Sequence, residues 1–125
     1  MDDDIEALAS ARDLLSAAGY AVTEALNGGR ALQKIKANPP HVLITDILMP
    51  DGDGIELIAA VRRAYPAIGI IAVTEHRLLG ALDLLDLASR LGAAATLEKP
   101  LAADRLLAHV AGLTGSQAQR ARPND

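Results

Sequence analysis

The chain has 125 residues, half of them hydrophobic, the size of one ordinary domain with a single core and no second domain beside it. No apolar run approaches about eighteen residues, the opening Met1-Asp2-Asp3-Asp4 is acidic, and cysteine is absent; no membrane span, export leader or disulfide or thiolate framework is therefore expected, and a cytoplasmic location is. A net charge of −4 and an aromatic complement of only Tyr20 and Tyr65 argue against nucleic-acid binding by this domain and favour protein partners.

Ile5, Leu8, Ala9, Leu15 and Ala18 recur at helical spacing and Gly19 stands where a helix stop belongs, which predicts a first helix. Tyr20 to Ala25 alternates and predicts a strand. Asn27-Gly28-Gly29 then breaks the chain before Ala31, Leu32 and Ile35 resume a helical period that Pro39-Pro40 ends. His41 to Asp46 is a nearly continuous apolar run closing on a carboxylate, as in a strand buried on both faces. A loop dense in turn formers, Met49 to Gly54, leads into a helix carrying Ile55, Leu57, Ile58, Val61 and Arg62 and stopping before Pro66.

Ile68 to Thr74 predicts a second buried strand, Leu79 to Leu91 a helix stopped by Gly92, Ala94 to Leu97 a brief strand, and Leu101 to Leu113 the last helix. Beyond Leu113 the composition is polar and without an apolar period, so residues 114–125 are expected to form a flexible tail to a domain over 1–113. Strands alternating with helices through short connections predict an α/β domain, a parallel sheet with helices on both faces.

In such sheets ligands collect at the carboxyl ends of the strands. Asp46, Thr74 and Lys99 each end or follow a predicted strand, so a carboxylate, a hydroxyl and an ammonium group meet at that edge, with Asp2 and Asp3 available to join them. A carboxylate can attack phosphorus to give an aspartyl phosphate, and the negative charge spread over the transferred oxygens calls for a cation and hydrogen-bond donors. Asp2, Asp3, Asp46 and the backbone carbonyl of Leu48 form an oxygen-ligand set suited to Mg²⁺. Lys99 supplies a fixed positive charge and Thr74 a hydroxyl donor. His41, His76 and His109 show no metal spacing.

The segment His41 to Gly54, with Thr-Asp-Ile-Leu-Met-Pro-Asp-Gly-Asp-Gly, resembles the phosphoacceptor loop of response-regulator receiver domains. Ala18-Gly19-Tyr20-Ala21-Val22, Asn27-Gly28, Thr74, Leu91-Gly92-Ala93 and Glu98-Lys99-Pro100 follow in the family's order. The resemblance implies a doubly wound, flavodoxin-like (CheY-like) sheet of strand order 2-1-3-4-5. It also implies Asp46 as phosphoacceptor, Asp2 and Asp3 as the acidic metal pair, Thr74 as the switch hydroxyl, Lys99 as the phosphoryl-binding lysine, and a cis Lys99-Pro100 bond. The expected role is that of a two-component signalling switch and not an enzyme. Its phosphoryl donor would be a sensor histidine kinase or a histidine phosphotransfer protein, and its output a downstream effector protein, with no membrane contact and homodimer formation left open.

Four positions depart from the pattern. The family's buried first strand has only Met1 in its place, so the central strand is expected to be missing or truncated, leaving a gap between residues 20–25 and 41–46. Thr96 and Leu101 replace the family's aromatic residues, which removes a ring-flip switch, and Leu48 places an apolar side chain where an attacking water would approach, which predicts a long-lived phosphoryl state. The alternative to a phosphoacceptor switch is a degenerate receiver that binds partners without phosphorylation. A phosphatase-like hydrolase using Asp46 ranks last, because Leu48 stands where it would want a carboxylic acid.

Overall fold

A computed structural model describes residues 1–47, 53–75, 78–79 and 82–114. In chain order the helices are α1 (Ile5–Ala17), α2 (Gly28–Ala37), α3 (Asp53–Ala64), α4 (Leu84–Leu91) and α5 (Ala103–Thr114). The strands are β1 (Val42–Asp46), β2 (Gly69–Thr74), β3 (Leu78–Leu79), β4 (Leu82–Asp83) and β5 (Ala95–Glu98). Strands β1, β2 and β5 form a parallel sheet in that order, while β3 and β4 make a separate antiparallel pair.

The sheet is covered on both sides because its central strand is apolar at successive positions. Ile70 and Ala72 pack with Ile35 of α2, Ile58 and Val61 of α3, and Leu84 of α4. Their neighbours Ile71 and Val73 point to the opposite face and pack with Leu15 of α1, Leu97 of β5, and Leu106 and Val110 of α5. Adjacent residues on a strand face opposite ways, so an unbroken apolar run is stable only between two helical layers. This is the α/β architecture expected from the sequence.

Local signals set the ends of the helices. The Asp4 side chain accepts from the Glu6 and Ala7 amides at the start of α1, Asn27 from the Arg30 amide at α2, and Asp83 from the Leu85 and Asp86 amides at α4. Gly92 ends α4 in the left-handed conformation, φ 117°, as its position in the sequence predicted. It is also crowded: a Cβ there would lie 2.8 Å from Arg62 Nε. The Arg62 guanidinium donates to the carbonyls of Pro66 (2.7 Å), Ile68 (3.0 Å) and Gly92 (3.0 Å), tying the end of α3 to the start of β2 and the end of α4.

Two expectations are corrected. Residues 20–25 are not a strand, because a parallel strand exists only through a neighbour, and among the described residues their one backbone link to the sheet side is the Asp2 N–H donating to the Ala25 carbonyl at 3.2 Å. The helix expected from Leu79 begins only at Leu84, where Asp83 caps it, and residues 78–79 and 82–83 form the β3–β4 pair instead. Of the five-strand parallel order expected, three strands form the parallel sheet among the described residues, and Met1 bonds to the free edge of β1. The predicted tail beyond Thr114 and the loop residues 48–52, including Leu48, lie outside the described residues, as does His76.

Candidate functional site

The parallel sheet brings the ends of β1, β2 and β5 to one edge. Asp46 is the last residue of β1 and is 7% exposed; it stands in register with Val73, so Thr74, fully buried, follows directly on the neighbouring strand. Lys99 follows β5, and its N–H donates to the Thr74 carbonyl at 2.8 Å, which fixes the lysine backbone against the end of β2. The Lys99-Pro100 peptide bond is cis, as expected.

The acidic N-terminal residues reach this edge through backbone bonds. The Asp46 N–H donates to the Met1 carbonyl at 2.9 Å, and the Met1 amino group donates to the Ile44 carbonyl. Asp2 is thereby held beside Asp46, its Oδ1 accepting from the Asp4 N–H at 2.9 Å just before α1 begins. Lys99 Nζ then bridges the two carboxylates, 2.6 Å from Asp2 Oδ2 and 3.1 Å from Asp46 Oδ2. Asp3 is exposed but close, and one carboxylate oxygen from each of Asp2, Asp3 and Asp46 lies within 4.8 Å of the others.

The electrostatics of the cluster are coupled. Burial disfavours the Lys99 charge, but its hydrogen bonds to Asp2 and Asp46 and their negative charges outweigh that effect and raise its pKa above the ordinary 10.5. Burial pushes the Met1 amino group down to about 6, against the pull of Asp2 and Asp46. Three carboxylates facing one ammonium leave an excess of negative charge and of oxygen donors. Their chemistry fits a hard divalent cation, which takes a few carboxylates and retains water.

The structure thus brings together Asp2, Asp3, Asp46 and Lys99, places Thr74 at the adjoining strand end, and leaves Leu48 outside the described residues. Two contributors escaped the sequence reading. One is Met1, whose backbone holds Asp2 against β1; no side-chain pattern announces that. The other is Gly54, read only as a turn former: a Cβ there would lie 2.0 Å from the Asp46 carbonyl oxygen and 2.6 Å from that of Ile47. The start of α3 can lie this close to the end of β1 only if this residue is glycine.

The family model described as response regulator receiver domain matches residues 1–111. Among curated proteins, the chain is 32% identical over 110 residues to the DNA-binding transcriptional regulator NtrC of Escherichia coli (strain K12), covering 88% of this chain and 23% of that protein. It is also 32% identical over 130 residues to the response regulator MprA of Mycobacterium leprae, covering all of this chain and 52% of MprA. The chain therefore spans about a quarter to a half of these relatives' length. The crystal structure of the receiver domain of NtrX from Brucella abortus superposes with a TM-score of 0.80 at 26% identity, over 92% of this chain and 96% of that one. The family match over most of the chain, the doubly wound sheet shared with that receiver domain, and an acidic cluster at its carboxyl edge agree, and the chain belongs to the response regulator receiver domain family.

Proposed function

We propose that this chain is a phosphorylation-controlled switch in which Asp46 accepts a phosphoryl group. The observation that carries the reading is the Lys99 bridge between Asp46 and Asp2 at the carboxyl edge of a parallel sheet, with Asp3 beside them. An Asp46 carboxylate oxygen attacks the phosphorus of a phosphohistidine on a sensor kinase or phosphotransfer protein. A P–O bond forms, the P–N bond breaks, and the electron pair leaves with the imidazole, which takes up a proton. Lys99 holds a positive charge against the incoming oxygens, and Thr74 offers a hydroxyl from the next strand end. Asp2, Asp3 and Asp46, with the Leu48 carbonyl, would hold Mg²⁺, which supplies neutralisation of phosphoryl charge.

The added charge then competes for Lys99 and alters the end of β2 and the segment toward β5, where an effector protein reads the change. Residues 1–113 form the receiver and 114–125 its tail, in a cytoplasmic setting without nucleic-acid or membrane contact. No helix among the described residues is long and apolar enough to cross a membrane. Beryllofluoride with Mg²⁺, a mimic of the phosphoryl group, tests the reading by amide NMR. The expected result is Mg²⁺-dependent shifts at Asp46, Thr74 and Lys99 that saturate. Unchanged spectra in a folded sample would favour the phosphorylation-independent interaction module.

A further inference from the structure

Leu43 and Ile47 belong to the core layer that includes Ile58, Ile70 and Ala72. Thr45 stands between them on the same face of the chain and is fully buried, so a hydroxyl occupies a place among aliphatic side chains. Valine has nearly the same shape and would fill that place without a polar group, and a buried hydroxyl is tolerated only where it finds a partner. Thr45 Oγ1 finds one in the next peptide, donating to the Asp46 carbonyl at 2.9 Å.

That bond completes the fixation of Asp46. The peptide before Asp46 is held by its own N–H, which donates to the Met1 carbonyl at 2.9 Å. The peptide after it is held at both ends: the carbonyl accepts from Thr45, and the Ile47 N–H donates to the Val73 carbonyl at 2.9 Å. The start of α3 covers the same carbonyl, since a Cβ on Gly54 would lie 2.0 Å from its oxygen. The two backbone torsions of Asp46 lie between these peptides. With both peptides fixed, the carboxylate leaves the strand in one direction, toward Lys99 Nζ 3.1 Å away.

We propose that Thr45 is a positioning residue for phosphoryl acceptance and Mg²⁺ binding: from the opposite face of the strand, its hydroxyl sets the plane of the Asp46–Ile47 peptide and so aims the Asp46 carboxylate. The inference rests on the reading of Asp46 as phosphoacceptor. Thr45 faces the core and acts through this peptide, not on the reacting atoms. Loss of the hydroxyl deprives a buried carbonyl of a donor and frees the peptide to rotate. Group transfer tolerates little such misplacement, and a shift of about 1 Å can cost about a hundredfold in rate. Partners that orient metal ligands likewise contribute about tenfold or more to metal affinity.

The test compares Thr45→Val, Thr45→Ser and Thr114→Val in the full chain, at a temperature where circular dichroism shows each to be folded. Thr114 also buries a hydroxyl, which donates to the Val110 carbonyl within α5, so its variant reports the general effect of losing such a group. Phosphorylation by acetyl phosphate is followed by intact mass, and Mg²⁺ affinity by the Lys99 amide shift. Thr45→Val should slow phosphorylation and weaken Mg²⁺ binding, each by about tenfold or more. Thr45→Ser should recover most of both, and Thr114→Val should match the wild-type chain. If the valine variant does not fold, Thr45→Ala against Thr45→Ser carries the same comparison. A wild-type chain that takes up no phosphoryl group overturns the reading of Asp46 and this inference with it. If the wild-type chain is phosphorylated, a Thr45→Val chain equal to it in rate and Mg²⁺ affinity overturns the inference alone, as does a serine variant no better than valine or an equal loss in Thr114→Val.

Discussion

Gly54→Ala probes the packing that sets the position of Asp46, the proposed phosphoacceptor. An added Cβ would lie 2.0 Å from the Asp46 carbonyl oxygen, 2.6 Å from the Ile47 carbonyl oxygen and 2.9 Å from the Asp46 carbonyl carbon, all backbone atoms that cannot rotate away. Relief requires α3 or the end of β1 to retreat by about 1 Å, an overpacking cost of about 1–3 kcal/mol. Alanine recovers at most about 1 kcal/mol of helix propensity, less in the first turn of a helix where Gly54 sits. The net loss is about 1–2 kcal/mol, or about 4–10 °C in melting temperature for a domain of this size. Thermal unfolding by circular dichroism reads the stability, and the rate of phosphorylation by a small donor reads the displacement of Asp46. An unchanged or higher melting temperature with an unchanged rate would refute the reasoning, because it would mean that α3 does not press on the strand end.

Arg62→Met removes the donors to the carbonyls of Pro66, Ile68 and Gly92 and should cost about 2 kcal/mol, seen as a lower urea midpoint with an unchanged m-value. Asp83→Ala deprives the Leu85 and Asp86 amides of their cap and should cost about 1 kcal/mol, with faster hydrogen exchange confined to the start of α4. Lys99 carries a pH signature. Its folded-state pKa is raised, so the stabilisation it provides is complete below the unfolded value of 10.5 and is lost as pH rises through the higher folded value. Stability of the wild-type chain should therefore fall more steeply above pH 10.5 than that of Lys99→Met, and parallel curves in denaturant titrations would count against the ion-pair bridge.

The elements most legible in the sequence are those whose pattern and environment agree. His41 to Asp46 and Ile68 to Thr74 read as strands because only a two-sided core accommodates such runs, and β1 and β2 are buried accordingly. Once these strands are parallel, Asp46 and Thr74 must share an edge, so much of the candidate site followed from the order of the elements. Tyr20 to Ala25 misled because alternation reports a half-buried surface, while strand structure needs a partner that, among the described residues, Asp2 supplies at Ala25 only. Leu79 and Leu82 fit a helical period as well as the β3–β4 pair, and the Asp83 cap decides where α4 starts. The three-carbonyl grip of Arg62 joins residues as far apart as positions 62 and 92, and no local spacing encodes such a contact.

The central claim is that Asp46 is the phosphoacceptor. Intact mass after incubation with acetyl phosphate, with and without Mg²⁺, for the wild-type chain and Asp46→Asn, tests it most directly. The account predicts a gain of one phosphoryl group that requires Mg²⁺ and disappears with the substitution. A folded wild-type chain that gains no mass, or an Asp46→Asn chain that gains it equally, would contradict the account.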